Sequence, residues 1–124
     1  MAIVLVVSLV GCKEDDDTQK TFFYVEYYGN HSATVDFDKL STMTITDEKG
    51  QKVSYSIGSR TVVIGPVYAG FKASLTISAP HDGSNTGRIG IARNKDHSFT
   101  TYGSFGGAKG EETLTYTIQE STGE

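Results

Sequence analysis

The sequence has few of the residues that small proteins use as cross-links. Its 124 residues include one cysteine, two prolines and no tryptophan. A single cysteine cannot form an internal disulfide, so the fold has to rest on a hydrophobic core. A chain of this length buries roughly 65% of the surface of its unfolded form, which suffices for one domain. Because paired cysteines flanking a tryptophan are missing, a true immunoglobulin domain is not expected.

The sequence also lacks a surplus of positive charge. Its formal net charge is −4, and residues 13–17 alone contribute −3, from one lysine against four acidic side chains. The rest of the chain is therefore nearly balanced. Because it has no excess of Lys and Arg, the sequence does not predict a nucleic-acid partner.

Long apolar runs are absent except at the amino end, where residues 2–10 are almost entirely hydrophobic. A transmembrane helix needs about 20 apolar residues, so this run is too short to span a bilayer, but it is typical of the hydrophobic region of a secretory signal. The single cysteine, Cys12, follows this run directly, after Leu9, Val10 and Gly11. These positions make the segment a candidate targeting signal.

Leu9, Val10, Gly11 and Cys12 resemble the lipobox of bacterial lipoproteins at all four positions. The resemblance implies that residues 1–11 are a signal peptide, that the chain is cleaved before Cys12, and that the Cys12 thiol carries diacylglycerol. Members of that family normally have Lys or Arg before the apolar stretch, so we expect the natural start to lie upstream of Met1. The alternative is a buried strand with an incidental cysteine, which the acidic run after Cys12 disfavours, because turn residues normally bound a strand.

The run "CKEDDD" resembles the acidic signal that follows the cysteine in surface-displayed lipoproteins of some Gram-negative bacteria. The alternative is a plain solvated tether, since like charges repel and keep a linker extended. We predict a lipidated, acidic tether over residues 12–20 and one folded domain over residues 21–124, anchored by lipid to the outer membrane and exposed at the cell surface.

From Thr21 onward, apolar and polar residues alternate with a period of two, which indicates strands. Segments such as "FFYVEYY", "TMTIT" and "ASLTIS" are joined by Gly, Asn, Asp and Pro. The sequence therefore predicts an all-β fold, an antiparallel β-sandwich of eight or nine short strands. The predicted core consists of Val25, Val35, Ile45, Val53, Leu75, Ile77, Ile91, Leu114, Tyr116 and Ile118.

The order "YVEYYG", "GFKASLTISA", "RIGIARNKDHSFTTYG" and "TLTYTI" is similar to MmpS-like β-sandwiches. These are small accessory domains tethered to bacterial membranes. The resemblance implies a sandwich fold over most of residues 21–119 and names no ligand.

Signatures of catalysis are not found. The sequence has no G-x-S-x-G, and "GSFGGAKG" departs from the phosphate-binding loop at two positions. His31, His81 and His97 have no metal-ligand spacing, and "HDGSN" lacks the EF-hand pattern. We therefore predict a protein that is not an enzyme and has no cofactor and no metal.

Tyrosine is abundant, with seven copies, and alternation places Tyr24 and Tyr28 opposite the predicted core face. Tyrosines on a solvated sheet face serve as stacking platforms for sugars or as protein contacts. The alternative is ordinary cross-strand packing. Both remain open from the sequence.

Binding loops are expected at the pole away from the membrane. Counting strand reversals from Thr21 predicts distal turns at residues 28–32, 47–50, 65–69 and 94–97, and membrane-side turns at residues 38–41, 58–59, 80–86 and 106–111. The candidate ligand-binding residues in the distal loops are Tyr28, Asn30, His31, Tyr68, Asn94 and His97.

The predicted function is a non-enzymatic, lipid-anchored accessory or binding module, with a surface protein complex or a glycan as its partner. The alternative is a structural or adhesive subunit that assembles by strand exchange. In that case "ETLTYTIQ", residues 112–119, would be the exchanged strand.

Overall fold

The computed structural model describes residues 21–32, 41–79, 84–94 and 98–124. These residues form strands and their connections. The eight strands are β1 (Phe23–Ser32), β2 (Thr42–Thr46), β3 (Lys52–Ser56), β4 (Ser59–Val67), β5 (Lys72–Ser78), β6 (Ser84–Arg93), β7 (Thr100–Ala108) and β8 (Glu111–Thr117).

The strands form two four-stranded antiparallel sheets, which pack as a β-sandwich. Sheet A has the order β4-β1-β6-β7, and sheet B has the order β3-β2-β5-β8. The predicted all-β sandwich of eight or nine strands is therefore confirmed. Within the described residues no helix is long and apolar enough to cross a membrane.

Alternating residues of each strand point into the space between the sheets. On β1 the side chains of Phe23, Val25 and Tyr27 are fully buried, whereas their neighbours on the opposite face are only partly buried. Six predicted core residues are confirmed as buried: Val25, Ile45, Leu75, Ile77, Ile91 and Ile118. Three others pack against the core while partly buried: Val53, Leu114 and Tyr116. Val35 lies outside the described residues.

Two facing glycines allow the sheets to approach closely near one end of the core. Gly29 on β1 pairs with Gly87 on β6. A Cβ at Gly29 would lie 2.8 Å from the Met43 Sδ, and a Cβ at Gly87 would lie 2.7 Å from the Phe105 Cζ. Side chains of other strands therefore fill the space that these two residues leave.

The hairpin between β2 and β3 has the predicted turn. The Asp47 Oδ1 accepts hydrogen bonds from the backbone nitrogens of Lys49 and Gln51, both at 2.9 Å. Gly50 has a φ of 82°, a conformation that favours glycine. The predicted turn at residues 47–50 is therefore confirmed, and it joins β2 to β3 as a hairpin.

The predicted turn at residues 28–32 is wrong, because β1 continues without interruption to Ser32. The sequence Gly29-Asn30 favours a turn. However, β1 lies between two partners along this part of its length, with Asn30 opposite Ser59 on β4 and opposite Thr86 on β6. Two ladders of backbone hydrogen bonds outweigh the local preference for a turn.

Because β1 has no turn at residues 28–32, the later loops lie at the opposite ends of the sandwich from those predicted. We define the entry pole as the end of the sandwich where the chain reaches Phe23, and the far pole as the end at Ser32. The strand registers place the turn at residues 47–50 and the connection at residues 65–69 at the entry pole, and residues 58–59 at the far pole. Their predicted placement was therefore inverted.

Four predicted turns remain, at residues 38–41, 80–86, 94–97 and 106–111. They are either shorter than expected or lie partly outside the described residues. β6 already begins at Ser84, and β7 extends to Ala108, so that residues 109 and 110 alone connect it to β8. The structure does not describe residues 38–40, 80–83 and 95–97.

A further difference concerns β4, which extends into the predicted turn at residues 65–69. It continues to Val67 through a cis Gly65-Pro66 peptide bond. The register with β1 shifts here, with Phe23 opposite Val67 but Val25 opposite Ile64, so an extra β4 residue forms a bulge. A proline is tolerated because β4 is an edge strand.

The outer face of sheet B consists almost entirely of hydroxyl side chains. Cross-strand hydrogen bonds join Thr44 to Ser54 at 2.8 Å and Thr76 to Thr113 at 2.9 Å. Register places eleven hydroxyl residues on this face: Thr42, Thr44, Thr46, Ser54, Ser56, Ser74, Thr76, Ser78, Thr113, Thr115 and Thr117. Lys52, Lys72 and Glu111 complete it, and none of these residues is aromatic.

Candidate binding surface

The outer face of sheet A differs in chemistry from that of sheet B. On β1 the outward residues are Tyr24, Glu26, Tyr28 and Asn30, all of them partly buried. They alternate with the inward Val25 and Tyr27 and stand on a strand that is paired on both sides. We call these four residues, with Arg88 and Val63, the β1 face.

Tyr28, Arg88 and Glu26 form the centre of this face. Arg88 on β6 lies directly opposite Tyr28, and its guanidinium carbon is 4.7 Å from the centre of the Tyr28 ring. The Arg88 Nη2 is also 3.8 Å from the Glu26 Oε1. A cation over an aromatic ring and a nearby carboxylate both favour this arginine conformation. The Arg88 side chain nevertheless keeps 43% of its surface exposed.

Glycines on the neighbouring strands make room for the side chains of this face. A Cβ at Gly90 would lie 3.4 Å from the Glu26 Oε1 and 3.2 Å from the Phe99 Cβ. A Cβ at Gly65 would lie 2.5 Å from the Tyr24 Cδ1. The carboxylate of Glu26 and the ring of Tyr24 thus lie close to the backbone of adjacent strands.

The β1 face also contains apolar surface. Phe22 packs edge-to-face on Tyr24, with ring centres 5.9 Å apart. Val63 lies opposite Glu26 on β4 and is 53% exposed. The face therefore combines apolar surface with hydrogen-bonding groups, a composition suited to recognition.

The structure describes five of the six predicted binding residues and does not bring those five together. Tyr28 and Asn30 share the β1 face. His31 points inward and is 3% exposed, whereas Tyr68, at the entry pole, is 42% exposed. Asn94 also lies at the entry pole, and His97 and Cys12 lie outside the described residues. Ligand binding by these residues stays a prediction, but the placement of the five described ones in one set of distal loops is wrong.

Asn94 has a structural contact that explains its position. Its backbone nitrogen donates to the Phe22 carbonyl oxygen at 2.7 Å, and its Oδ1 accepts from the Phe22 nitrogen at 3.2 Å. Its φ is 57°, in the left-handed region that asparagine tolerates. Asn94 therefore fixes the chain where it enters the sandwich.

His31 belongs to a buried polar layer at the far pole. The His31 Nδ1 is 2.7 Å from the Asn85 Oδ1, and the Asn85 Nδ2 donates to the Gly110 carbonyl oxygen at 2.9 Å. Because the amide oxygen can only accept, the His31 Nδ1 carries the proton, and in the neutral ring the Nε2 has the lone pair. Among the residues that the structure describes, neither that Nε2 nor the buried Oγ of Ser41 has a hydrogen-bond partner.

Sequence reasoning missed Arg88, Glu26 and Asn85. Alternation in "GRIGIAR" could have placed Arg88 on an outer face, opposite to Ile89 and Ile91. Its position beside Tyr28, however, follows from the pairing of β1 with β6, which are far apart in sequence. No local pattern encodes that register.

No candidate metal centre is present in the part of the chain that the structure describes: no three side chains of His, Cys, Asp or Glu lie together there. No protein-family model, curated protein or solved structure matches the chain. The resemblances to lipoproteins and to MmpS-like domains therefore stay predictions.

Proposed function

We propose that this protein is a non-enzymatic, lipid-anchored binding module displayed on the outer membrane, and that the β1 face is its binding surface. The observation that carries the proposal is the arrangement of Tyr28, Arg88 and Glu26 on the two central strands of sheet A. Central strands hold their side chains more rigidly than loops do, so little ordering is required on binding.

The resemblance of Leu9-Val10-Gly11-Cys12 to a lipobox supports the proposed anchor. A lipid on Cys12 would place the entry pole towards the membrane, joined to it by residues 12–20, a tether of at most about 30 Å. β1 would then run away from the membrane, and the β1 face would be open to the side of the domain. Several acyl chains, unlike one, hold a protein firmly in a membrane.

The anchoring is tested in cells that express the full chain. Metabolic labelling with a fatty-acid analogue should mark the wild type and leave Cys12→Ser unlabelled. Protease added to intact cells should degrade the wild-type protein. Equal labelling of both proteins, or full protection from protease, would contradict the proposed anchor or the proposed display.

The binding surface is tested by capture from the native cell surface with the purified full chain as bait. We expect Tyr28→Ala to lose a captured component that the wild type retains. The control is Thr76→Ala, which removes a hydroxyl from the outer face of sheet B. Equal capture by the wild type, Tyr28→Ala and Thr76→Ala would show that the β1 face is not the binding surface.

A structural or adhesive subunit that assembles by strand exchange is the second candidate. The observation that favours it is the position of β8, an edge strand near the carboxyl end that pairs with β5. In that case, size-exclusion chromatography at increasing protein concentration should show dimers or longer assemblies. A monomer at all concentrations would argue against exchange.

A further inference from the structure

Two tyrosines on β1 are spaced for an elongated ligand. Tyr24 and Tyr28 lie on the same face of one strand, four residues apart. At the rise of a β-strand, this separates their Cα atoms by roughly 13 Å. Aromatic rings provide flat apolar platforms, and the apolar face of a pyranose ring stacks on such a surface. A chain of linked sugar rings would span both platforms, whereas a single ring would not.

The groups between and beside the two tyrosines suit hydroxyl ligands. Glu26 lies midway between the tyrosines on β1. Arg88 lies opposite Tyr28 on β6, and its Nη2 is 3.8 Å from the Glu26 Oε1. A carboxylate accepts hydrogen bonds from sugar hydroxyls, and a guanidinium donates to them. One negative and one positive charge leave this centre formally neutral, so the face is matched to an uncharged chain.

The composition of the face favours a glycan over a protein partner. The core of a protein interface is usually more apolar than the remaining surface. On the β1 face, Val63 is exposed and Tyr24 and Tyr28 are partly exposed, and they lie among charged and amide side chains. The outer face of sheet B, which consists of hydroxyl and charged residues without an aromatic ring, offers no stacking platform.

We propose that the β1 face binds a neutral glycan chain that lies along β1, stacks on Tyr24 and Tyr28, and hydrogen-bonds to Glu26 between them and to Arg88 beside Tyr28. This inference rests on the proposed function, because it assigns a ligand class to the same surface. Asn30, the next outward residue on β1, extends the row of hydrogen-bonding groups towards the far pole.

The test is calorimetric titration of the full chain in detergent with defined pentasaccharides. The neutral probes are cellopentaose, xylopentaose, mannopentaose and maltopentaose, and the acidic probe is pentagalacturonate. We expect at least one neutral probe to bind. Loss of one stacking ring should weaken that binding on the order of tenfold in Tyr24→Ala and in Tyr28→Ala. Thr76→Ala should bind like the wild type.

Tyr28→Phe and Arg88→Gln distinguish a loss of binding from a loss of folding. Tyr28→Phe keeps the ring and should keep the affinity, and Arg88→Gln should weaken binding at an unchanged midpoint of urea unfolding. Binding of the acidic probe alone, neutral binding that survives both alanine changes, or no binding of the four neutral probes would each overturn the glycan assignment. Capture of a surface component that depends on Tyr28 would still stand in those cases, so the two proposals fail separately.

Discussion

His31 and Asn85 face each other across β1 and β6, and their side chains are joined by a buried hydrogen bond of 2.7 Å. The pair is held from both sides. The backbone nitrogen of His31 donates to the Gly58 carbonyl oxygen at 2.8 Å, and the Asn85 Nδ2 donates to the Gly110 carbonyl oxygen. The His31–Asn85 pair thereby connects sheet A to two loops at the far pole, the one between β3 and β4 and the one between β7 and β8.

We predict that Asn85→Leu destabilises the domain by about 1 to 3 kcal/mol, because it leaves the His31 Nδ1 buried without a partner. The double variant His31→Phe with Asn85→Leu should cost less than the sum of the two single changes, since no polar group of the pair is then left unsatisfied. Urea unfolding of the four proteins measures this coupling, with Thr86→Ala on the outer face as the control. Additive costs would show that the pair does not act as a unit.

The second prediction concerns the facing glycines, Gly29 and Gly87. Gly87→Ala places a methyl group against the Phe105 ring and 3.2 Å from the Leu75 Cδ2. We expect a loss of about 1 to 3 kcal/mol, because overpacking a filled core forces its neighbours out of position. Gly29→Ala should cost less, since its nearest neighbour is the flexible Met43 side chain.

Gly106→Ala is the matched control for both glycine changes. A Cβ there meets nothing within 4 Å. Alanine at this position should be neutral or slightly stabilising, because it restricts the unfolded chain. Thermal unfolding of the three variants gives the comparison. A Gly87→Ala protein as stable as Gly106→Ala would mean that the close packing of Phe105 and Leu75 on Gly87 is not required.

Local patterns in the sequence were sufficient to predict the strands and their buried faces. The alternation of Phe23, Val25 and Tyr27 and of Leu75 and Ile77 reports burial directly, because successive residues of a strand point to opposite sides. The β2–β3 turn was also predictable, since Asp47 and Gly50 act within a few residues of one another.

Features that depend on pairing between distant strands were not predictable. Gly29 and Asn30 favour a turn locally, and only the simultaneous pairing of β1 with β4 and β6 keeps the chain extended there. The same pairing turns His31 inward onto Asn85 and places Arg88 over Tyr28. One misjudged turn then inverted the poles of the later loops, because each reversal was counted from the one before it.

Tyr27 supports a prediction about alkaline pH. Its hydroxyl donates to the Thr46 carbonyl oxygen at 2.7 Å, and burial raises the pKa of this phenol well above its ordinary value. Below the ordinary tyrosine pKa of about 10, the phenol is protonated in both the folded and the unfolded chain. Above it, the unfolded chain releases the proton and the folded chain keeps it, so stability falls as the pH rises.

Tyr27→Phe separates this effect from packing. We expect it to cost about 0.5 to 1.5 kcal/mol near neutral pH through loss of the hydrogen bond. The fall in stability above the ordinary tyrosine pKa should then be smaller than in the wild type. Urea midpoints measured across a series of alkaline buffers test this. The same alkaline slope in both proteins would show that Tyr27 does not cause the decline.

The last prediction concerns the carboxyl-terminal clasp, residues 118–124, which holds β8. The buried Thr122 Oγ1 shares a hydrogen bond of 2.8 Å with the Tyr116 hydroxyl and accepts another of 2.8 Å from the Gln119 nitrogen. Arg93 donates to the carbonyl oxygens of Glu120 and Thr122, at 2.7 and 3.0 Å. Tyr116 also packs on the ring of Tyr102, so the clasp connects β8 to sheet A.

Thr122→Val keeps the shape of the side chain but removes the hydroxyl that serves two partners. We expect a loss of about 1 to 3 kcal/mol in the free energy of unfolding. Amide hydrogen exchange should become faster than in the wild type, and more so in β8 than in β1, because an edge strand with one pairing partner opens first. Ser121→Ala, an exposed neighbour, should change neither quantity. If the protein assembles by exchange of β8, Thr122→Val should also raise the dimer fraction in size-exclusion chromatography. Faster exchange in β8 with no gain in dimer would mean that a loosened β8 returns to its own chain, which is the result that a monomeric binding module requires.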